Sequence, residues 1–142
     1  MIQVWNKTFV FDTKNTTYCF RVLETGQLEH LYYGRKLVIT GEEDTASLVE
    51  KHAFAPGNTI LYDNEHTQYS LEDMRLEMSS LGKGDIREPY TEIVYHDGGR
   101  TSDFIYESYE ILDNRKPLET LPSAYEETLP VPELIVKMRD RN

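Results

Sequence analysis

Carboxylates are the most abundant reactive side chains of this 142-residue chain, which carries 25 Asp and Glu against 15 Lys and Arg. Two carboxyl groups held about 5 to 5.5 Å apart can cleave a glycosidic bond with retention, one as nucleophile and the other as general acid and then base. Asp85, Glu88, Glu92 and Asp103 are the acids from which such a pair could be drawn. Among 25 acids, however, pairs arise by chance, and residue type alone selects none. Structural roles explain these residues more simply. Asp85 and Arg87 flank Ile86 in a turn, where a charged side chain can bond backbone groups that the turn leaves unpaired. Asp103 and Arg100 are expected to meet across a hairpin as an ion pair that contributes little unless desolvated.

Other chemistries are thinly supplied. The four histidines, His30, His52, His66 and His96, show no i, i+4 spacing or other local ligand pattern, so a metal site is not expected. Cys19 is the single cysteine, which excludes an intrachain disulfide, a cysteine zinc cluster and a redox pair. Trp5 sits in a strand pattern with Ile2 and Val4 and reads as packing material rather than a sugar-stacking platform. A net charge of −10 repels phosphate backbones and anionic membranes, so no nucleic-acid or membrane partner is expected. The start, Met-Ile-Gln-Val-Trp, lacks the basic and apolar regions of a signal peptide, and the simplest compartment is the cytoplasm.

The elements that must position these residues are strands. With 39% hydrophobic content the chain is long enough to bury the core of one domain, and its 10 Tyr suit half-buried strands. Residues 8–12, 17–23 and 27–33 read as a meander with Gly26 and Gly34 in its turns. Phe9 and Phe11 share one face at period two, as do Tyr18, Phe20 and Val22, so one sheet face is apolar while Lys7, Asp12 and Arg21 stay near water. Residues 40–68 form a long excursion without sustained periodicity, with a short helix over 45–51 capped by Thr45. Residues 69–78 fit either an irregular edge strand or a turn of helix. Residues 90–96 and 102–112 read as a strand pair joined through Asp97-Gly98-Gly99. Pro117, Pro122, Pro130 and Pro132 make the next segment extended loop and edge, and residues 133–139 read as a final strand.

Five motifs in order carry a resemblance. They are Gly26-Gln27-Leu28-Glu29-His30-Leu31-Tyr32-Tyr33-Gly34, His52-Ala53-Phe54, Gly84-Asp85-Ile86-Arg87-Glu88-Pro89, Gly99-Arg100-Thr101-Ser102-Asp103-Phe104 and Leu118-Glu119-Thr120-Leu121-Pro122, with Tyr69-Ser70-Leu71-Glu72 leading into the Gly84 turn. Together they resemble the amino-terminal β-sandwich domain of bacterial α-galactosidases of glycoside hydrolase family 36.

The resemblance implies an all-β fold, an antiparallel β-sandwich with one short helix that forms the amino-terminal part of a β-supersandwich. Residues 1–142 are then a single domain of a parent that continues into a (β/α)8 barrel, and the catalytic residues belong to that barrel and not to this chain. The resemblance implies no cofactor. The implied role is to support the barrel, to help assemble a homo-oligomer and to narrow a neighbouring subunit's entrance for galactoside oligosaccharides of the raffinose type. Lys51, His52, Phe54 and Asp63 are the implied substrate contacts. Lys51 stands where similar sequences carry an acidic or other polar residue, and it can donate but not accept hydrogen bonds. The alternative is a free-standing, non-catalytic carbohydrate-binding sandwich that stacks sugars on exposed Tyr32, Tyr33, Tyr62 and Tyr69.

Overall fold

Alternating apolar side chains and tight turns set up the first sheet. In the computed structural model, which describes residues 1–50, 60–67, 69–116, 120 and 130–142, strands β1 (Ile2–Trp5), β2 (Thr8–Asp12), β3 (Thr16–Val22) and β4 (Leu28–Arg35) form an antiparallel meander in sequence order. Asn6 and Lys7 make the two-residue turn between β1 and β2, with φ of 43° and 61°. Positive φ at both positions matches the right-handed twist of the flanking strands. Between β3 and β4 the chain turns at Gly26, whose φ is +100° and whose hydrogen faces Ile105 so closely that a Cβ would lie 2.9 Å from that residue's Cβ. Gly34, expected in a turn, lies inside β4 instead.

The period-two reading holds on one face. Phe9, Phe20 and Leu28 form a buried cluster joined by Val4, Phe11, Tyr18 and Val22. A second antiparallel sheet of β5 (Phe104–Leu112) and β6 (Glu133–Asp140) covers it, contributing Tyr106, Leu134, Val136 and Met138. Phe9 stacks on Phe20 at 4.9 Å and meets Tyr109 edge-on at 5.2 Å, geometries that the ring quadrupoles favour. The opposite face of the first sheet is not left to water. Val10, Cys19 and Leu31 are buried there under Ile39, with Trp5, Tyr32, Leu37, Leu48 and Val49 packed around them. The return segment after β4 therefore makes a second, smaller core, and burial there explains the apolar residues that alternate with the first set.

Two local expectations need correction, and one left open is resolved. The helix is α1 (Glu42–Ala46), capped at Gly41, and Thr45 lies within it, bonding its hydroxyl to the Glu42 carbonyl at 2.8 Å. Residues 69–78 combine both alternatives: a 3-10 turn at Leu71–Asp73 precedes an edge segment that bridges β4 at Glu29 and Leu76. Residues 90–96 are not a strand, and β5 pairs instead with β6 from Phe104 to Leu112, with a register shift between Tyr106 and Ser108. The reason is burial. Tyr90 and Val94 are left 71% and 61% exposed, whereas Leu134, Val136 and Met138 of β6 find the Phe9 cluster. The expected turn survives, with Gly98 at φ +85° and the Tyr95 amide donating to the Gly99 carbonyl at 2.8 Å.

Candidate functional site

Of the four implied substrate contacts, Lys51, His52 and Phe54 lie outside the described residues, as does most of the Leu118 to Pro122 motif. Asp63 is described and opens a short loop that its own side chain organises. Its carboxylate accepts the backbone N–H groups of Glu65 at 2.9 Å and His66 at 2.7 Å, an arrangement natural to Asp at the start of a turn. The same oxygen lies 2.8 Å from Nδ1 of His66. An acceptor there places the ring proton on Nδ1, so the neutral ring presents Nε2 as an acceptor. Desolvation pushes the Asp63 carboxyl up, but the His66 side chain and the two backbone donors outweigh it and hold it below its ordinary range.

The loop closes on itself and is tied down from beneath. The Tyr62 amide donates to the Tyr69 carbonyl at 2.9 Å, and the Tyr69 amide to the His66 carbonyl at 3.0 Å. The Tyr62 hydroxyl donates to Asp103 Oδ2 at 2.6 Å. Asp103 is fully buried and also accepts Gln27 Nε2 at 2.7 Å. Lys83 Nζ and the Arg141 guanidinium each lie 5.2 Å from the centre of the Tyr62 ring, and they approach Asp103 Oδ2 at 4.0 and 3.8 Å. Asp140, next along, accepts the Asp103 amide at 2.9 Å and the Tyr95 hydroxyl. One buried carboxylate thus ties together the start of β4, the loop, the turn at Lys83 and the end of β6.

Above this anchor lies a cleft of about 410 Å³ lined by Glu24, Glu65, His66, Thr67 and Tyr69. The His66 ring meets Tyr62 and Tyr69 edge-on at 6.2 and 5.9 Å, and the Tyr69 hydroxyl donates to Glu24 Oε2 at 3.3 Å. Burial first, and then the Glu24 carboxylate, push the Tyr69 hydroxyl above its ordinary range, keeping it a donor. Glu24 and the Asp63–His66 pair escaped sequence reasoning. The local spacing Asp-x-x-His was available, but Glu24 lies 45 positions from Tyr69 and nothing local announces it.

The remaining candidates separate. Arg100 pairs with Glu92 at 2.7 Å, not with Asp103, because Asp103 turns inward to the loop. Asp85 grips Arg87, accepting Nε at 2.7 Å, Nη2 at 2.9 Å and the backbone N–H at 3.0 Å, and Arg87 Nη2 reaches the Leu71 carbonyl at 2.9 Å. That is the turn-bracing role read from sequence. Asp85, Glu92 and Asp103 are each engaged by cations or neutral donors. The four tyrosines do not form one platform: Tyr32 packs on the second core, Tyr33 is 70% exposed, Tyr62 is only 6% exposed, and Tyr69 alone lines the cleft. Among the described residues no three His, Cys, Asp or Glu are placed to hold a metal ion, and no helix is long and apolar enough to cross a membrane.

Comparison with known proteins gives a consistent answer. Residues 26–142 match the family described as the glycosyl hydrolase family 36 N-terminal domain. The bifunctional alpha-galactosidase/sucrose kinase AgaSK of Mediterraneibacter gnavus is 32% identical over 136 residues, covering 96% of this chain and 14% of its own length. The probable alpha-galactosidase G of Aspergillus terreus is 30% identical, covering 98% of this chain and 17% of its own. Among solved structures, the alpha-galactosidase of Lactobacillus brevis superposes with a TM-score of 0.84 at 26% identity, over 98% of this chain and 19% of that one. The chain therefore spans less than a fifth of the length of each relative.

Proposed function

The chain belongs to the glycosyl hydrolase family 36 N-terminal domains, and from that premise we propose that it is the amino-terminal domain of a longer retaining α-galactosidase acting on terminal α-galactosides of the raffinose type. The observation that carries the reading is the match of residues 26–142 to that family, together with a superposition that covers nearly all of this chain on a solved α-galactosidase. Retention requires two carboxyl groups, and in this reading they come from a (β/α)8 barrel further along the polypeptide. The domain supports that barrel and contributes to a homo-oligomer. Its excursion over residues 40–68, with Lys51, His52, Phe54 and Asp63, narrows a neighbouring subunit's substrate entrance. A net charge of −10 suits a neutral sugar better than an anionic substrate. A single buried cysteine suits the reducing cytoplasm.

The test is the polypeptide that carries this domain, purified with whatever follows it in the reading frame and given raffinose. Release of galactose, with the α-anomer formed first by proton NMR, is the expected result. A folded polypeptide that releases no galactose overturns the activity, and β-galactose as first product overturns retention alone.

A further inference from the structure

We propose that the cleft between Glu24 and His66 is a binding site in its own right for the adjacent hydroxyls of a neutral hexopyranose, an inference that rests on the carbohydrate function proposed above. The lining is rich in hydrogen-bond acceptors and poor in cations. Glu24 and Glu65 offer carboxylates, His66 offers Nε2 once Asp63 has taken up Nδ1, and Thr67 adds a hydroxyl. Neighbouring sugar hydroxyls are donors at a spacing that two such acceptors can meet together. The apolar side of a pyranose ring has a counterpart in the Tyr69 ring, which is set edge-on to His66.

The second requirement of a site is that it be formed before the ligand arrives, because ordering side chains on binding subtracts from affinity. This wall is held in advance. His66 is fixed by Asp63 and stands against Tyr62, and Tyr62 is bonded to Asp103, a carboxylate with no exposed surface. The opposite wall is pinned where Tyr69 bonds Glu24. Glu24, Glu65 and Thr67 are themselves solvent-exposed, so the ligand reaches the acceptors without the domain opening. A cleft of about 410 Å³ falls within the range of roughly 300 to 1,000 Å³ usual for small ligands.

The experiment uses the 142-residue chain, labelled with ¹⁵N and titrated with galactose, raffinose and methylammonium. Saturable shifts of the His66 ring and the Tyr69 amide with either sugar are expected. Glu24→Gln removes one charged acceptor from an exposed position and should weaken binding about ten-fold or more while leaving the far-UV dichroism unchanged. His66→Ala should do the same, and the exposed Glu24→Gln variant keeps the proposal testable if His66→Ala fails to fold. No saturable shift, sugar shifts that Glu24→Gln leaves intact, or a response to methylammonium alone would each overturn the site. If the longer polypeptide releases galactose while this chain binds none, only the cleft assignment fails. If the chain binds sugar but that polypeptide releases none, only the enzymatic reading fails.

Discussion

Of the four acids that could have formed a catalytic pair, Asp103 is the one that holds most of the local structure together. Replacing it with Ala strands the Tyr62 hydroxyl and the Gln27 amide as buried donors, each worth about 1–3 kcal/mol, and removes the counter-charge for Arg141 and Lys83. The expected loss is about 3–5 kcal/mol in urea unfolding, with Asp103→Asn losing less because one acceptor oxygen stays. Tyr62 gives the pH signature. Burial first, and then the Asp103 hydrogen bond, raise its hydroxyl from the ordinary 10.0 to about 12. The folded state thus keeps a proton that the unfolded state releases. Its contribution is whole below pH 10 and falls away as pH rises from 10 toward 12. Tyr62→Phe should flatten that part of the stability curve, and in Asp103→Asn the hydroxyl should still ionise late at 295 nm because burial is the larger cause. The sequence reading paired Asp103 with nearby Arg100, and the error is instructive. Its true donors, Gln27 and Tyr62, are 76 and 41 positions away, and only the folded topology brings them to one carboxylate. Asp85 was legible because its partner Arg87 is two positions off.

The strands were legible wherever alternation met a core. The first meander and β6 follow their apolar periodicity, since Phe9, Phe20, Leu134 and Val136 all face one cluster. Residues 90–96 are rich in β-branched and aromatic side chains but lack that alternation, Tyr90 and Val94 meet no facing surface within the described residues, and composition alone did not make a strand. Turns show the same division. Glycine at position 26 is required by its positive φ and by Ile105 pressed against it, whereas Gly41 is in extended backbone with open space where a Cβ would go. Gly26→Ala should therefore destabilise by about 2–4 kcal/mol, combining left-handed strain with overpacking. Gly41→Ala should change stability by under about 1 kcal/mol, the difference between two N-cap residues. Thermal unfolding of the two variants side by side checks the contrast, and equal losses would mean that the β3–β4 turn is not fixed by Ile105.

The described residues form a four-stranded sheet with a core on each face and a two-stranded sheet covering one of them, and this decides how the molecule should unfold. A two-stranded sheet has little stability of its own, so β5 and β6 depend on the Phe9 face. The sandwich and the family were readable from sequence because turn motifs and strand order survive in the chain itself. The second core was not, since Leu37, Ile39, Leu48 and Val49 fall where no regular period marks them. Phe9 and Cys19 lie on opposite faces of the same sheet, which makes them a test of whether the two cores form one cooperative unit. Cys19 is fully buried, and burial followed by the charge of Asp12 pushes its thiol up to about 11. The thiolate is the reactive form, so a disulfide reagent at neutral pH should label Cys19 only when the sheet opens. Phe9→Ala should lower stability by about 3–5 kcal/mol. If opening is global, labelling of Cys19 should accelerate by the corresponding factor, roughly a hundred- to a few thousand-fold, although the deleted ring lies on the other face. Labelling that stays slow while the β5 and β6 amides exchange freely would show the cover sheet detaching alone, with the core around Val10, Cys19 and Leu31 holding as a separate unit.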